Sequence, residues 1–109
     1  MFLGNVDDNY KTITIDWNNA IDKGKIYMAF RKGLGLKECG YSSDSLIESI
    51  TQPEIEVTTP IVFKIYNWKN YFEINGTNDV IMRMIKTIIN EQIYDMYSGK
   101  TFSCAFDFV

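Results

Sequence analysis

The stretch TNDVIMRMIKTIINEQIYDMYSG, residues 77–99, is the longest periodic segment of the chain and decides its predicted fold. Its apolar side chains recur with the i, i+3, i+4, i+7 spacing of one helical face. They are Ile81, Met84, Ile85, Ile88, Ile89, Ile93 and Met96. Thr77 or Asn78 can cap the first turn, and Gly99 can end the helix in a left-handed conformation. The pattern predicts one long helix over about 78–98, with an apolar stripe that strands must cover.

Three segments alternate between apolar and polar side chains, which is the pattern of a half-buried strand. They cover residues 11–17, 61–66 and 101–109. The side chains expected to face the core are Ile13, Ile15, Trp17, Ile61, Phe63, Ile65, Phe102, Cys104, Phe106 and Phe108. The last segment follows the predicted helix after a short connection, so we expect it to double back along that helix.

Weaker patterns complete the element order. We expect residues 25–31 to pair with 11–17 as an antiparallel hairpin, and residues 71–74 to form a short return strand after 61–66. Residues 44–50 predict a short helix, residues 54–58 an edge strand that ends near Pro60, and residues 1–10 a loosely held N-terminal arm. The resulting order is ββαβββαβ. It predicts a single α+β domain over residues 1–109, two-layered, with a mostly antiparallel sheet against the long helix.

Composition limits the classes of function. The chain has 109 residues, 46% of them hydrophobic and 15% aromatic, which argues against disorder. Its net charge of −3 lacks the basic footprint of a nucleic-acid-binding protein, so we expect no direct binding of DNA or RNA. No apolar run is long enough to cross a bilayer, and the N-terminus does not resemble a signal peptide. We therefore expect a cytoplasmic protein, in the host cytoplasm if a phage encodes it.

The absence of histidine removes most conventional catalysis. Without an imidazole there is no Ser-His-Asp or Cys-His arrangement and no His-containing metal site. Cys39 and Cys104 lack metal-ligand spacing, and we expect both to be reduced thiols. Carboxylates on outward strand faces, such as Asp16 and Asp107, could approach one another, but a solvated face is the favoured interpretation. We expect no enzyme, no cofactor and no metal.

A basic, glycine-punctuated segment follows the predicted strand 25–31. Free backbone N–H groups in such a loop can cradle a phosphate, helped by nearby cationic side chains. The residues concerned are Arg31, Lys32, Gly33, Gly35 and Lys37. A phosphate-binding loop normally opens a helix directly, and here other residues intervene. A plain turn is therefore favoured over an anion site.

Aromatic side chains on the outward faces suggest a binding surface. Four of them, Tyr27, Tyr66, Trp68 and Tyr71, are expected on the sheet face away from the long helix, with an acidic rim of Glu54, Glu56 and Glu73. Tyrosine and tryptophan are enriched at interaction hot spots. The alternative is that other segments cover this face, so that the aromatics form a second small core. Both interpretations are open at the level of sequence.

Three functions of different class fit these features. We expect a non-enzymatic protein-binding module whose acidic rim steers a basic or nucleic-acid-handling partner. Small size, mild acidity and an AT-rich residue bias are similar to phage or mobile-element inhibitors of host proteins, such as anti-CRISPR and other anti-defence proteins, although no motif assigns the chain to such a family. The alternatives are a homo-oligomeric structural or accessory protein, for which a homodimer would fit, and a binder of a phosphate-containing ligand or nucleotide at residues 31–37.

Overall fold

The computed structural model describes residues 1–6, 9–35, 60–90, 94–95, 100–101 and 103–109. These residues contain three α-helices and six β-strands. The helices are α1, Lys23–Leu34; α2, Lys69–Asn75; and α3, Val80–Asn90. The strands are β1, Phe2–Gly4; β2, Lys11–Asp16; β3, Ile61–Tyr66; β4, Tyr94–Asp95; β5, Lys100–Thr101; and β6, Cys104–Phe108.

The main sheet has four strands in the order β1-β6-β3-β2. Strands β2, β3 and β6 run parallel, and only β1 pairs antiparallel, with β6. The α+β class is confirmed, but the mostly antiparallel sheet is wrong. The cause lies in the connections: parallel neighbours need a crossover, and helices that were predicted as strands lie in those crossovers. Helix α1 lies between β2 and β3, and helices α2 and α3 lie between β3 and β6.

One hydrophobic core joins the sheet to all three helices. The parallel register aligns Ile15 with Ile65 and Phe63 with Phe106. All four side chains are fully buried. The predicted inward faces of β2, β3 and β6 are therefore correct within the described residues. Since residues of α1, α2 and α3 belong to this same cluster, the helices cover one face of the sheet.

Helix α1 replaces the strand predicted at residues 25–31. Asp22 is its N-cap, and a carboxylate oxygen of Asp22 accepts a hydrogen bond from the backbone N–H of Gly24 at 2.6 Å. The buried side chains are Ile26, Tyr27 and Phe30, whereas Met28 is 55% exposed. This set has helical spacing, so the hairpin with residues 11–17 does not form.

Helix α2 replaces the return strand predicted at residues 71–74. Tyr71 and Phe72 are neighbours in the chain, yet both are buried. A strand with one covered face cannot bury two successive side chains on that face, because they point in opposite directions. A helix turns both toward the core.

Helix α3 confirms the helical prediction only from Val80 to Asn90. Its buried residues are Ile81, Met82, Met84, Ile85 and Ile88. The pattern assigned four of them to the inner face and missed Met82. The single long helix over 78–98 is wrong at its C-terminal part, because Tyr94–Asp95 pairs antiparallel with Lys100–Thr101. Residues 91–93 and 96–99 lie outside the described residues.

The N-terminus also differs from the predicted loose arm over residues 1–10. Phe2–Gly4 forms edge strand β1, which pairs with β6 in the register Leu3 to Phe106. Pairing with β6 holds this segment on the sheet.

The predicted helix at 44–50 and strand at 54–58 lie outside the described residues. Within the described part of the chain, no helix combines the length and apolar character that spanning a bilayer requires.

Candidate functional site

The parallel strands β2, β3 and β6 bring three chain segments to one edge of the sheet, which we call the carboxyl edge. It is formed by residues 17–21 after β2, residues 67–68 after β3, and Val109 after β6. In open sheets with parallel strands and covering helices, binding sites lie outside the carboxyl ends of the strands, because the loops there are positioned by a rigid scaffold. The carboxyl edge is therefore where we expect a binding site.

A polar network joins the first two segments of this edge. One carboxylate oxygen of Asp16 accepts hydrogen bonds from the backbone N–H of Asn18 and from Nδ2 of Asn67, both at 2.8 Å. These bonds, chiefly the one from Asn67, hold the pKa of Asp16 below its usual value, and the charge of Lys32 contributes in the same direction. Asn18, Asn19 and Asn67 all have positive φ, a conformation that asparagine tolerates. The network therefore fixes the two turns relative to each other.

Trp68 joins the second and third segments. Its indole N–H donates to the carbonyl oxygen of Val109 at 3.1 Å. Its ring contacts those of Phe72 and Phe108, and the centroid of Trp68 lies 6.0 Å from that of Phe72 and 5.6 Å from that of Phe108. Trp68 is half-buried and packs against the core. Tyr66, at the end of β3, is 37% exposed. We call Tyr66, Trp68 and the exposed Val109 together the carboxyl-edge surface, because all three lie where a parallel strand ends.

The other two aromatic residues of the predicted patch are not on a surface. Tyr27 is 4% exposed and Tyr71 is 2% exposed, and both belong to the core. The sequence placed them outward because it assigned their segments to strands, and the helical conformation of α1 and α2 reverses that orientation. The four-residue exposed patch is therefore wrong, and only Tyr66 and Trp68 remain at the carboxyl edge.

Tyr71 instead has a structural contact that can be tested. Its hydroxyl donates a hydrogen bond to a carboxylate oxygen of Asp79, at the start of α3. We expect Tyr71→Phe to lower the free energy of unfolding by about 1 kcal/mol, because it removes this bond and keeps the ring. Urea denaturation followed by circular dichroism measures the change. The control is Tyr10→Phe, at a tyrosine that is 45% exposed, and equal effects of the two substitutions would contradict the structural role.

Only one residue of the predicted acidic rim, Glu73, lies within the described residues. Glu73 lies in α2, and its side chain is exposed. Glu54 and Glu56 lie outside the described residues. Asp16 and Asp107 do not come together, because β3 separates their strands and Asp107 pairs with Lys64 in the register. Among the described residues, no group of three or more cysteine, aspartate or glutamate side chains could hold a metal ion.

The basic segment proposed as an anion site is the end of a helix. Arg31, Lys32 and Gly33 belong to α1, and Gly35 caps it with φ of 67°. The N–H of Gly35 donates to the carbonyl oxygens of Arg31 and Lys32. A helix C-terminus presents carbonyl groups and a partial negative charge, which disfavours anions. A phosphate-binding loop at Arg31–Gly35 is therefore wrong, and Lys37 lies outside the described residues.

A cleft of about 610 Å³ opens between the turn after β2 and one face of α1. Its lining consists of Trp17, Asn18, Asn19, Ala20, Ile21, Lys25, Met28, Ala29 and Lys32. A smaller hollow of about 230 Å³ lies beside it, where Asn19, Asn67, Trp68, Lys69 and Val109 meet. Both concavities are at the carboxyl edge, and Asn19 lines both of them.

The sequence analysis missed the cleft because it assigned residues 25–31 to a strand. In that interpretation Lys25 and Met28 point in opposite directions. A helical signal was present in a longer window, since the apolar residues Ile26, Ala29, Phe30 and Leu34 have i, i+3, i+4, i+8 spacing. Asp22 before them is a good N-cap residue.

The one described cysteine has no chemical role in this region. Cys104 is a free thiol that is 3% exposed, in line with the expected reduced state. Burial raises the pKa of its thiol to about 12, so the thiolate needed for nucleophilic attack does not form near neutral pH. Cys39 lies outside the described residues.

Comparisons of the sequence with known proteins assign no family to this chain. No protein-family model matches the chain, and no curated protein sequence matches it.

Proposed function

We propose that this chain is a non-enzymatic protein-binding module that acts by direct contact through its carboxyl-edge surface. The observation that supports the proposal is that Tyr66 and Trp68, separated only by Asn67, both lie at the carboxyl end of the central strand β3. Tyrosine and tryptophan contribute strongly to protein interfaces because they are large, rigid and amphipathic. The proposed inhibitor of a host protein, encoded by a phage or mobile element, is a specific form of this function.

Preorganisation strengthens this proposal. The backbone N–H of Trp17 donates to the carbonyl oxygen of Tyr66 at 3.0 Å, and that of Asn19 donates to Asn67 at 3.0 Å. The side-chain network around Asp16 and the indole bond of Trp68 add further constraints. A surface that is ordered before binding loses less conformational entropy when a partner docks.

Charge favours a basic partner. The chain has a net charge of −3, and Glu73 is exposed on α2, the helix that follows Trp68. Opposite charge on the partner would accelerate encounter more than it would add affinity. Glu73→Lys should therefore slow association while leaving dissociation nearly unchanged.

The absence of histidine from the chain supports binding without catalysis.

The test compares Tyr66→Ala with Tyr10→Ala in capture from a lysate of the source organism or its host. Tyr66 is at the carboxyl end of β3, whereas Tyr10 precedes β2 at the opposite end of the parallel strands, and both are exposed. We expect Tyr66→Ala to weaken binding of the captured protein about tenfold, because it removes a hot-spot side chain, and Tyr10→Ala to have little effect. Binding to the purified partner is measured by surface plasmon resonance.

Trp68→Ala is a less suitable test, because Trp68 also packs on Phe72 and Phe108 and so contributes to stability. The melting temperature of Tyr66→Ala must equal that of the wild type, so that a loss of binding cannot result from unfolding. Equal loss of binding in the Tyr10 and Tyr66 variants would contradict the proposed surface. Light scattering that shows a stable dimer, together with no captured protein, would contradict the module itself and favour the homo-oligomeric alternative.

A further inference from the structure

We propose that the cleft between α1 and the turn after β2 is a binding site for a small organic anion with an apolar body, such as an aryl or alkyl carboxylate or phosphate monoester. This site is distinct from the carboxyl-edge surface, and the proposal goes beyond protein binding. It shares Lys32 with the basic segment at the end of α1, but it does not use the backbone of that segment, which disfavours anions.

The dimensions and lining of the cleft suit such a ligand. Its volume of about 610 Å³ is within the range of about 300–1,000 Å³ typical of small-molecule sites. Ile21 and Met28 are 52% and 55% exposed, so two large apolar side chains face solvent at its walls. A ligand body that covered them would remove apolar surface from water, which is favourable in proportion to the area.

The charged groups of the cleft select an anion. Lys25 and Lys32 line it at positions two turns apart on α1, and none of its described lining residues carries a carboxylate. Asp16 is not part of the lining; it is bonded to Asn18 and Asn67, and its charge also interacts with Lys32. An anionic group between the lysines would gain charge-assisted hydrogen bonds.

A third feature is an unpaired donor on one of the residues that line the cleft. Trp17 lines the cleft, and its buried indole Nε1 has no hydrogen-bond partner among the residues that the structure describes. Buried polar groups are nearly always paired, since leaving one unpaired costs free energy. A ligand acceptor that reached this N–H would remove that cost. The indole N–H of Trp68 is already bonded to Val109, which makes it an internal reference.

The experiment is a titration of ¹⁵N-labelled protein with phenylacetate and with phenyl phosphate, followed through the two indole N–H signals. Trp68→Phe assigns the signals. We expect the Trp17 signal to shift saturably with at least one anion, while the Trp68 signal moves little. The two anions distinguish a carboxylate site from a phosphate site. Benzyl alcohol, with a similar body and no charge, should bind at least about tenfold more weakly because it cannot pair with the lysines.

Matched variants identify the site. Lys25→Met and Lys32→Met keep most of the aliphatic stem and remove the charge, and each should weaken anion binding about tenfold. Lys86→Met is the control, because Lys86 is exposed on α3 and does not line the cleft. The proposal is overturned if neither anion shifts the Trp17 signal, if benzyl alcohol binds as well as the anions, or if Lys86→Met has the same effect as the cleft variants. None of these results bears on the Tyr66 test of partner binding.

Discussion

Trp17→Ala is expected to lower the free energy of unfolding by about 3–5 kcal/mol, the range for truncation of a buried tryptophan. The indole is 1% exposed and contacts rings from three other elements. Their centroids lie 5.6–6.2 Å away in edge-to-face arrangements, and the rings belong to Phe30, Tyr71, Phe72 and Phe108. Trp17 therefore connects α1, α2 and β6, and its loss leaves a large cavity where they meet.

Trp17→Phe is the matched control for this prediction. It keeps an aromatic ring and removes the indole N–H, which has no partner within the described part of the chain. We therefore expect a smaller loss of stability than for Trp17→Ala, because phenylalanine keeps part of the ring packing. Removal of the buried indole N–H also removes the cost of leaving that donor unpaired. Urea unfolding followed by circular dichroism measures both variants without relying on tryptophan emission. Equal stability of Trp17→Ala and the wild type would show that these ring contacts do not hold the core.

Gly33→Leu is expected to destabilise the protein by about 3 kcal/mol through overpacking between α1 and β2. A Cβ atom at Gly33 would overlap Cδ1 of Ile15 and lie 3.1 Å from the carbonyl oxygen of Thr14. Ile15 is fully buried and cannot move aside into solvent. This glycine is thus required for the close approach of helix and strand, and the intrinsic helix propensity gained with leucine, about 1 kcal/mol, is too small to compensate.

A double-mutant cycle with Ile15→Ala separates overpacking from other causes. Ile15→Ala alone should destabilise the protein, because it creates a cavity beside Gly33. The double variant places leucine atoms in that space, so we expect it to be more stable than the sum of the single changes by at least about 1 kcal/mol. Additive losses would contradict a direct clash between these two positions. Unfolding by urea provides all four free energies.

The two misassigned helices show where period counting fails. In residues 25–31, Ile26 and Phe30 are compatible with both a period of 2 and a helical i, i+4 spacing, so a seven-residue window cannot separate the two. Met28 distinguishes the two conformations, because a strand would bury it on the same face as Ile26 and Phe30, whereas the helix leaves it 55% exposed. Residues 71–74 are shorter still. Local propensity is a weak prior at such lengths, and tertiary packing overrides it.

The end of α3 illustrates a different limit. The apolar stripe continues to Ile93 and Met96 in sequence, but Tyr94–Asp95 forms strand β4 with Lys100–Thr101. Periodicity reports which side chains an amphipathic helix could bury, and it does not report whether a competing backbone pairing is more favourable. That comparison depends on contacts between residues that the pattern treats independently.

The sequence by itself determined the inward faces of β2, β3 and β6 and four of the five buried positions of α3, because alternation and helical spacing follow directly from backbone geometry. Only the tertiary structure decided that the strands run parallel, that Tyr27 and Tyr71 are buried, and that Lys25 and Lys32 line a cleft with Trp17. The physical reason is that strand direction and the position of a site depend on crossovers. Crossovers bring together residues far apart in the chain, and no local period encodes that proximity.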